Sequence, residues 1–372
     1  MKVLHLIDHF GLGGAQAQLL DLLETRGPQI DATVWTLRDV ALPSAVERLR
    51  STRVPYRTLA LSKRSPLGWF ELRRRLVAEA PDLVSTHLDY GNAAGITATV
   101  SLGKSRPVLV SHIDNDPSQH YDRLARTLIR GFASKVDAFV PISESLGRAA
   151  KTTFTNARRI EVIPPGIDLQ RFDTAGVDLA EVDKLRAGAT RVVGTVGRLD
   201  DQKSLDVLLD ATPALIEDDP ETRILIVGAG PRRGDLQRQA GRLVIDHAVE
   251  FLGYRDDVTT AYRAMDVFVL PSRHEGFGVV FAEAMALGVP VVGTRVVGSV
   301  DAVEDGVTGL LVEHGDPAAR AGAVLRLFND PELKSQLIAA AQERVRRECS
   351  RETRAARIET LYEELCKGGR AR

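Results

Sequence analysis

Val192-Val193-Gly194-Thr195-Val196-Gly197-Arg198-Leu199-Asp200-Asp201-Gln202-Lys203-Ser204 is the stretch on which the fold turns. A short apolar run over 192–196 reads as a strand, Gly197 opens a turn, and 204–215 reads as a helix. The alternation continues toward the C-terminus, with strands at 223–227, 249–252, 267–270 and 289–292 and helices at 233–243, 258–264 and 277–287. It also occurs upstream. Val3-Leu4-His5-Leu6-Ile7 reads as a strand, Gly11-Leu12-Gly13-Gly14 as a tight turn, and 15–25 as a helix with Leu19, Leu20, Leu22 and Leu23 on its apolar face. Strands at 32–37, 54–59, 83–86, 108–111, 138–141 and 159–163 then alternate with helices at 67–80, 90–102, 119–133 and 144–152. Apolar strands separated by helix-length segments predict parallel sheets covered on both faces. Pro164-Pro165-Gly166 closes the first series, because neither proline can donate to a ladder.

The expected architecture is therefore α/β: two Rossmann-like domains with parallel sheets whose carboxyl edges face a central cleft, where such sheets bind ligands. The boundaries expected are 1–168 for the N-terminal domain, 169–189 for a linker and 190–350 for the C-terminal domain. The tail from Pro317 reads as helices at 318–328, 331–348 and 352–366, the last with a stripe of Ile358, Leu361, Tyr362 and Leu365. These helices either cap the second domain, or the segment 351–372 packs back on the first.

A chain of 372 residues has room for two cores, which excludes a peptide-sized binding module. The two cysteines, Cys349 and Cys366, lack the spacing of a disulfide framework or zinc site. No apolar run reaches the roughly 18 residues of a membrane span, and no signal-peptide layout opens the chain; a cytoplasmic protein is expected. The net charge of −1 gives no reason to expect nucleic acid. It conceals two cationic stretches. From 48 to 75, Arg48, Arg50, Arg53, Arg57, Lys63, Arg64, Arg73, Arg74 and Arg75 stand against Glu71 alone. From 123 to 159 there are eight basic residues and two acids, Asp137 and Glu144. Such patches attract anionic lipid or a phosphorylated substrate. With Leu67, Trp69, Phe70 and Leu76 among its charges, 48–75 reads either as a reversible contact with an anionic cytoplasmic membrane or as a solvated face whose aromatics pack inside.

Four places carry candidate chemistry. Gly11-Leu12-Gly13-Gly14-Ala15-Gln16 opens a helix after a strand, so it is a substrate loop, a structural turn or a dinucleotide loop; Gln16 departs from G-x-G-x-x-G. Arg198 and Lys203 stand at a strand's carboxyl end before a helix N-terminus, an arrangement suited to a diphosphate or else a solvated basic loop. Gly228-Ala229-Gly230-Pro231 adds a turn through which backbone can approach the same place. Pro271-Ser272-Arg273-His274-Glu275-Gly276-Phe277-Gly278 precedes a helix with Glu283 among apolar residues, and a carboxylate there needs a partner: sugar or ribose hydroxyls, backbone amides or an arginine such as Arg198. His112 ends a strand before Ile113-Asp114-Asn115-Asp116, and His87 ends another. Neither His-x-Glu-x-x-His nor Cys-x-x-Cys occurs, so metal catalysis has no support, and Gly-x-Ser-x-Gly is absent.

In this order the motifs resemble the retaining GT-B glycosyltransferases of the GT4 family, from Val3 to about Leu365. Besides those quoted, Val162-Ile163-Pro164-Pro165-Gly166-Ile167-Asp168, Phe251-Leu252-Gly253 and Asp305-Gly306-Val307-Thr308-Gly309-Leu310-Leu311-Val312 carry the likeness. The resemblance implies a sugar moved, with retention, from a nucleotide-diphosphate sugar to a hydroxyl of a glycan or lipid-linked acceptor. The donor implied is a UDP-sugar, alternatively a GDP-sugar, with no further cofactor. The catalytic set would be His112, Arg198, Lys203 and Glu275. Arg198 and Lys203 would bind the diphosphate, Glu283 the ribose, Glu275 with Gly276, Phe277 and Gly278 the transferred sugar, and His112 that sugar as well. Gly13, Gly14, Gly197 and Gly230 would line the donor, and Gln16, His87 and Asp114 the acceptor side. The chain departs from the pattern at Ile113, which intervenes before Asp114, at Gln16 where Glu is frequent, and at Val297-Gly298-Ser299-Val300-Asp301, which replaces Gly-Gly-x-Pro-Glu. A noncatalytic nucleotide-sugar-binding scaffold is the alternative from another class.

Overall fold

The computed structural model describes residues 1–11, 13–61, 66–172 and 177–369. Leu12 of the glycine loop, Lys63 and Arg64 of the first basic stretch, 173–176 of the expected linker, and the side chain of Leu67 lie outside the described residues. The chain divides into two compact units, Met1–Gly166 with Arg351–Arg372, and Ile167–Ser350.

In the first unit β1 (Lys2–Ile7), α1 (Gly14–Thr25), β2 (Asp31–Thr36), α2 (Pro43–Ser51), β3 (Tyr56–Thr58), α3 (Pro66–Glu79), β4 (Leu83–His87), α4 (Asp89–Val100), β5 (Val108–Ile113), α5 (Arg123–Phe132), β6 (Ala138–Pro141) and α6 (Glu144–Thr153) follow one another. The second holds α7 (Leu179–Arg186), β7 (Arg191–Val196), α8 (Leu205–Asp218), β8 (Thr222–Val227), α9 (Arg233–Arg242), β9 (Val249–Gly253), α10 (Thr259–Arg263), β10 (Val267–Leu270), α11 (Val279–Ala286), β11 (Val291–Thr294), α12 (Ser299–Ala302), β12 (Leu310–Val312), α13 (Pro317–Asn329) and α14 (Pro331–Glu348). The last helix, α15 (Arg351–Gly369), belongs to the first unit.

Both sheets are parallel and share one topology, β3-β2-β1-β4-β5-β6 and β12-β11-β10-β7-β8-β9. The winding reverses between β1 and β4 in one sheet and between β7 and β10 in the other, so each is a complete Rossmann-like sheet with a switch point at its carboxyl edge. The near-continuous apolar strands are explained by burial on both faces: β4 and β10 are buried at every residue.

Several elements differ from the sequence expectation for local reasons. The helix expected from 119 starts at Arg123, because the Asp122 side chain caps the Ala125 amide and residues 116–119 are held in a turn by Asp116. The strand expected over 159–163 is reduced to a bridge of Ile160 with Phe139. Beyond it the carbonyls of Val162, Ile163 and Pro164 are taken by Arg357 and Arg354 of α15. Four residues of that helix, Ala355, Ile358, Leu361 and Tyr362, enter the first unit's core.

The basic stretch is also less free than its composition suggests. Arg48 is bound by Asp21 and Glu24, and Arg74 and Arg75 by Glu71. Leu76, expected beside the charges, is a core residue; Phe70 and Val77 of α3 are the exposed ones, at 72% and 59%. Among the described residues no helix is long and apolar enough to cross a membrane.

Arg320 of α13 is wholly buried, donates Nη2 to Thr294 Oγ1 at 3.1 Å, and leaves Nε and Nη1 without a hydrogen-bond partner among the described residues. Burial pulls its pKa down to about 10, so it is still charged at neutral pH. An ion kept in a dry interior costs more than an apolar side chain of similar length. Arg320→Leu is therefore expected to match or exceed the parent stability, by up to about 4 kcal/mol in denaturant unfolding. A loss beyond about 1 kcal/mol would contradict this.

Candidate active site

The second unit's switch point gathers the two loops richest in chemistry. Residues 197–204 leave β7 and residues 271–278 leave its neighbour β10, so their side chains meet at one sheet edge. Lys203 Nζ lies 2.6 Å from Glu275 Oε1, and Ser272 Oγ donates to the same oxygen at 2.5 Å. The loops are also joined by Arg273 N to Gln202 O at 2.8 Å, Gln202 Nε2 to His274 O at 3.1 Å, and Arg273 Nε to Ser204 Oγ at 3.0 Å. The Lys203 and Glu275 side chains are only 13% and 6% exposed, which makes this a largely desolvated ion pair with an added hydrogen bond.

Backbone contacts fix the pair. Gly228 has φ +135°, and a Cβ there would stand 1.8 Å from Gly197 O; one on Gly230 would stand 2.4 Å from Leu199 O. Gly298 has φ +82°, with a Cβ position 2.3 Å from Glu275 O, while Glu275 N donates to Val297 O at 3.1 Å. The departure from Gly-Gly-x-Pro-Glu thus keeps the glycine that the geometry requires. Ser204 sits at φ 46°, ψ 44° without being glycine, a strained start to α8 of the kind that accumulates at functional edges.

Arg198 is beside this pair and half-exposed, its Nη2 3.1 Å from both Asp200 Oδ2 and Gln202 Oε1. A guanidinium has five N–H donors and an ammonium three, so both cations retain donor capacity for an anion. Gly276, Phe277 and Gly278 form the buried turn before α11. Glu283, on α11, accepts from Tyr262 Oη at 2.8 Å. Burial, and then the Glu283 charge, push the Tyr262 hydroxyl well above its ordinary pKa, which keeps it a donor.

The remaining candidates lie in the first unit. Gly13 and Gly14 are exposed at the amino end of α1, and buried Gln16 folds back so closely that a Cβ on Gly13 would meet its Oε1 at 2.3 Å. His112 is not at an open edge. Its ring is 0% exposed, stacked on His87 with centroids 4.4 Å apart, and His87 in turn lies 3.2 Å from His5, Nε2 to Nδ1. Asp114 is half-buried; burial, opposed by Arg354, pushes its pKa up to about 6. Asp114-Asn115-Asp116 has an acidic spacing the sequence reading passed over, but Asp116 Oδ1 accepts from Ser118 N and Oγ. Among the described residues no group of three or more His, Cys, Asp or Glu side chains could hold a metal ion.

Sequence reasoning missed several residues that build these sites. Ser272 and Gln202 stood inside the quoted motifs without a role. Gln18 clamps the interdomain motif through both amide atoms, donating to Gly166 O at 2.6 Å and accepting from Gly166 N at 2.8 Å, and only its place on α1 hinted at this. Tyr262 carried no signal in the sequence, and Tyr362 stood only in the stripe of the last helix.

Residues 12–171 match the model of Glycosyltransferase Family 4, and residues 190–330 that of Glycosyl transferases group 1. The phosphatidyl-myo-inositol mannosyltransferase of Mycobacterium leprae is 31% identical over 366 residues, covering 96% of this chain and 94% of that one. The chain belongs to glycosyltransferase family 4. A D-inositol 3-phosphate glycosyltransferase of Corynebacterium urealyticum is 38% identical over 221 residues, so the chain spans about half of that relative, 51% of its length. The crystal structure of Anabaena Alr3699/HepE in complex with UDP-glucose superposes with a TM-score of 0.83 at 26% identity, covering 98% of this chain and 100% of that one. Family membership decides for a glycosyltransferase of the GT-B fold over the noncatalytic scaffold.

The buried histidines make this glycosyltransferase sensitive to acid. Burial, then the Arg26 charge, lower His5 to about 3, and burial holds His87 and His112 well below 6.5. Below about pH 6.5 the unfolded chain takes up three protons that the native state refuses, so stability falls with pH. Asp114 works the other way, binding its proton more tightly when folded between about 6 and 3.8. Three histidines outweigh one carboxylate, so stability is lost as the pH falls from about 6.5 toward 5. Melting temperature should fall from pH 7 to pH 5, less steeply in His5→Gln; a flat profile would contradict the assignment.

Proposed function

We propose that this family 4 enzyme transfers a sugar, with retention at the anomeric carbon, from a UDP-sugar to a hydroxyl of a glycan or lipid-linked acceptor in cell-surface polysaccharide or glycolipid synthesis. The observation that carries the reading is the convergence of Arg198, Lys203 and Glu275 at the β7–β10 switch point. Arg198 and Lys203 bind the diphosphate, Glu283 the ribose hydroxyls, and Glu275 with residues 276–278 the transferred sugar, with His112 as a further sugar contact. Gly13, Gly14, Gly197 and Gly230 admit the donor closely, and Gln16, His87 and Asp114 belong to the acceptor side.

In the reaction the acceptor oxygen bonds to the anomeric carbon on the face that the diphosphate leaves, and the acceptor's proton passes to a departing phosphate oxygen. Positive charge develops at carbon and extra negative charge on the diphosphate, so hydrogen bonds from fixed cations strengthen as the bond breaks. Such a contact contributes roughly 100-fold in rate. Glu275 also holds the Lys203 ammonium in place at 2.6 Å, so little reorganisation is needed when the charge forms.

The inositol-lipid name of the mycobacterial relative and the UDP-glucose complex of HepE support the acceptor and donor classes. A peripheral site on an anionic cytoplasmic membrane is supported by α3, where exposed Phe70, Arg73, Arg74 and Val77 follow helical spacing on one face. The test is a panel of UDP- and GDP-sugars with acceptors in anionic vesicles, in excess EDTA, with the product's anomeric configuration read by NMR. Expected are release of UDP, retained configuration, full activity in chelator and cosedimentation with vesicles that salt reverses. An inverted product, transfer from GDP-sugars alone, or loss in EDTA restored by magnesium would overturn the corresponding part; absence of vesicle binding at low salt would remove the membrane.

A further inference from the structure

Gly166 is buried, and it ends Pro164-Pro165-Gly166 at the point where the chain leaves the first unit. Its N–H and C=O therefore need partners inside the protein. Gln18 of α1, only 4% exposed, supplies both: Nε2 donates to Gly166 O at 2.6 Å, and Oε1 accepts from Gly166 N at 2.8 Å. A primary amide is suited to this because it presents a donor and an acceptor side by side.

The same helix holds the return crossing. The chain re-enters the first unit at Arg351, whose Nη1 lies 3.2 Å from Glu24 Oε2, less than two turns along α1 from Gln18. The outgoing and returning segments are themselves joined, since Ile167 N donates to Cys349 O at 2.7 Å. At its other end α1 begins at Gly14, and both Gly13 and Gly14 are exposed. Gly14 and Gln18 are four residues apart, about 6 Å of helix. Little more than one turn separates the glycine loop from the residue that grips the crossing.

We propose that Gln18 is a positioning residue: by clamping Gly166 it makes α1 the rigid link that keeps the Gly13-Gly14 loop in register with the crossing between the units, and so sets that loop against a donor held by the second. The inference rests on the reading of Gly13 and Gly14 as the loop that admits the donor. A clamp that served folding alone would lose rate only as stability is lost. A positioning clamp loses rate while nucleotide affinity is kept, because Arg198, Lys203 and Glu275 all belong to the second unit.

The test is a double-mutant cycle on the full chain, Gln18→Met, Gly14→Ala and the pair, read by kcat for transfer from the UDP-sugar chosen by the panel, by calorimetry with UDP and by thermal melts. Gln18→Met keeps the side-chain length and removes donor and acceptor. A Cβ on Gly14 meets nothing within 4 Å among the described residues, so Gly14→Ala should fold and only narrow the space over the loop. Each single variant should lower kcat about tenfold or more with UDP affinity within about threefold, and the pair should lose less than the product of the two, because the second change acts on a loop already displaced. Leu23→Ala removes core packing from the same helix and leaves the clamp; it should melt at least as low as Gln18→Met yet keep kcat within about threefold where it is folded. Should Gln18→Met not fold, Gln18→Glu, which can still accept from Gly166 N, takes its place in the cycle. Losses that simply multiply, or a kcat that follows melting temperature through Leu23→Ala as well, overturn the proposal. Transfer lost in Gly14→Ala and unchanged in Gln18→Met removes this inference and leaves the proposed function standing; Gly14→Ala at the parent rate removes the donor-loop reading and the inference with it.

Discussion

The ion pair between Lys203 and Glu275 ties the fold to its chemistry. Two charges at 2.6 Å in a largely desolvated site are tolerated because they are held in register by the sheet beneath them, Lys203 on the loop from β7 and Glu275 on the loop from its neighbour β10. Ser272, Gln202 and Arg273 complete the lock, and Gly228, Gly230 and Gly298 let three backbones approach closely enough to form it. Removing one charge alone would leave the other buried and uncompensated, so the two side chains stabilise the loops only as a pair.

The first unit has the same topology and a different electrostatic design. At the carboxyl side of its sheet the ion pair is Asp8, after β1, with Arg38, after β2, joined through Arg38 Nε to Asp8 Oδ1 at 2.6 Å, and further along the sheet three histidines, Ser85 and Tyr362 form a buried polar network. The second unit offers cations that keep spare donors near an anion, while the first offers neutral donors and acceptors suited to hydroxyl groups. A glycosyl donor presents both chemistries, a diphosphate and a ring of hydroxyls.

The strands and the motif loops were legible because each is local: an apolar run, a glycine, then a helix within about a dozen residues. Lys203 and Glu275 could be named from their motifs, yet their direct bond could not, since it depends on β7 and β10 being neighbours although 72 residues separate the two side chains. The burial of His112 was hidden for a related reason. Its position at a strand end suggested an open edge, whereas Tyr362, 250 residues away, covers it. Likewise the expected strand at 159–163 shrinks to a bridge because Pro141 of β6 has no N–H to give the Glu161 carbonyl, although Ile163 N still donates to Pro141 O at 3.0 Å, and Leu76, set among charges in the sequence, is a core residue.

The central claim, that Lys203 and Glu275 act together as an anion-responsive unit, is tested most directly by calorimetric titration of UDP into the parent and into the double variant Lys203→Met, Glu275→Gln. The double variant removes both charges at similar side-chain volume, so folding should persist, which a thermal melt on the same sample verifies. The account predicts UDP binding at least about tenfold weaker in the variant, a difference of about 1.4 kcal/mol. Equal affinities in the two folded proteins would contradict it.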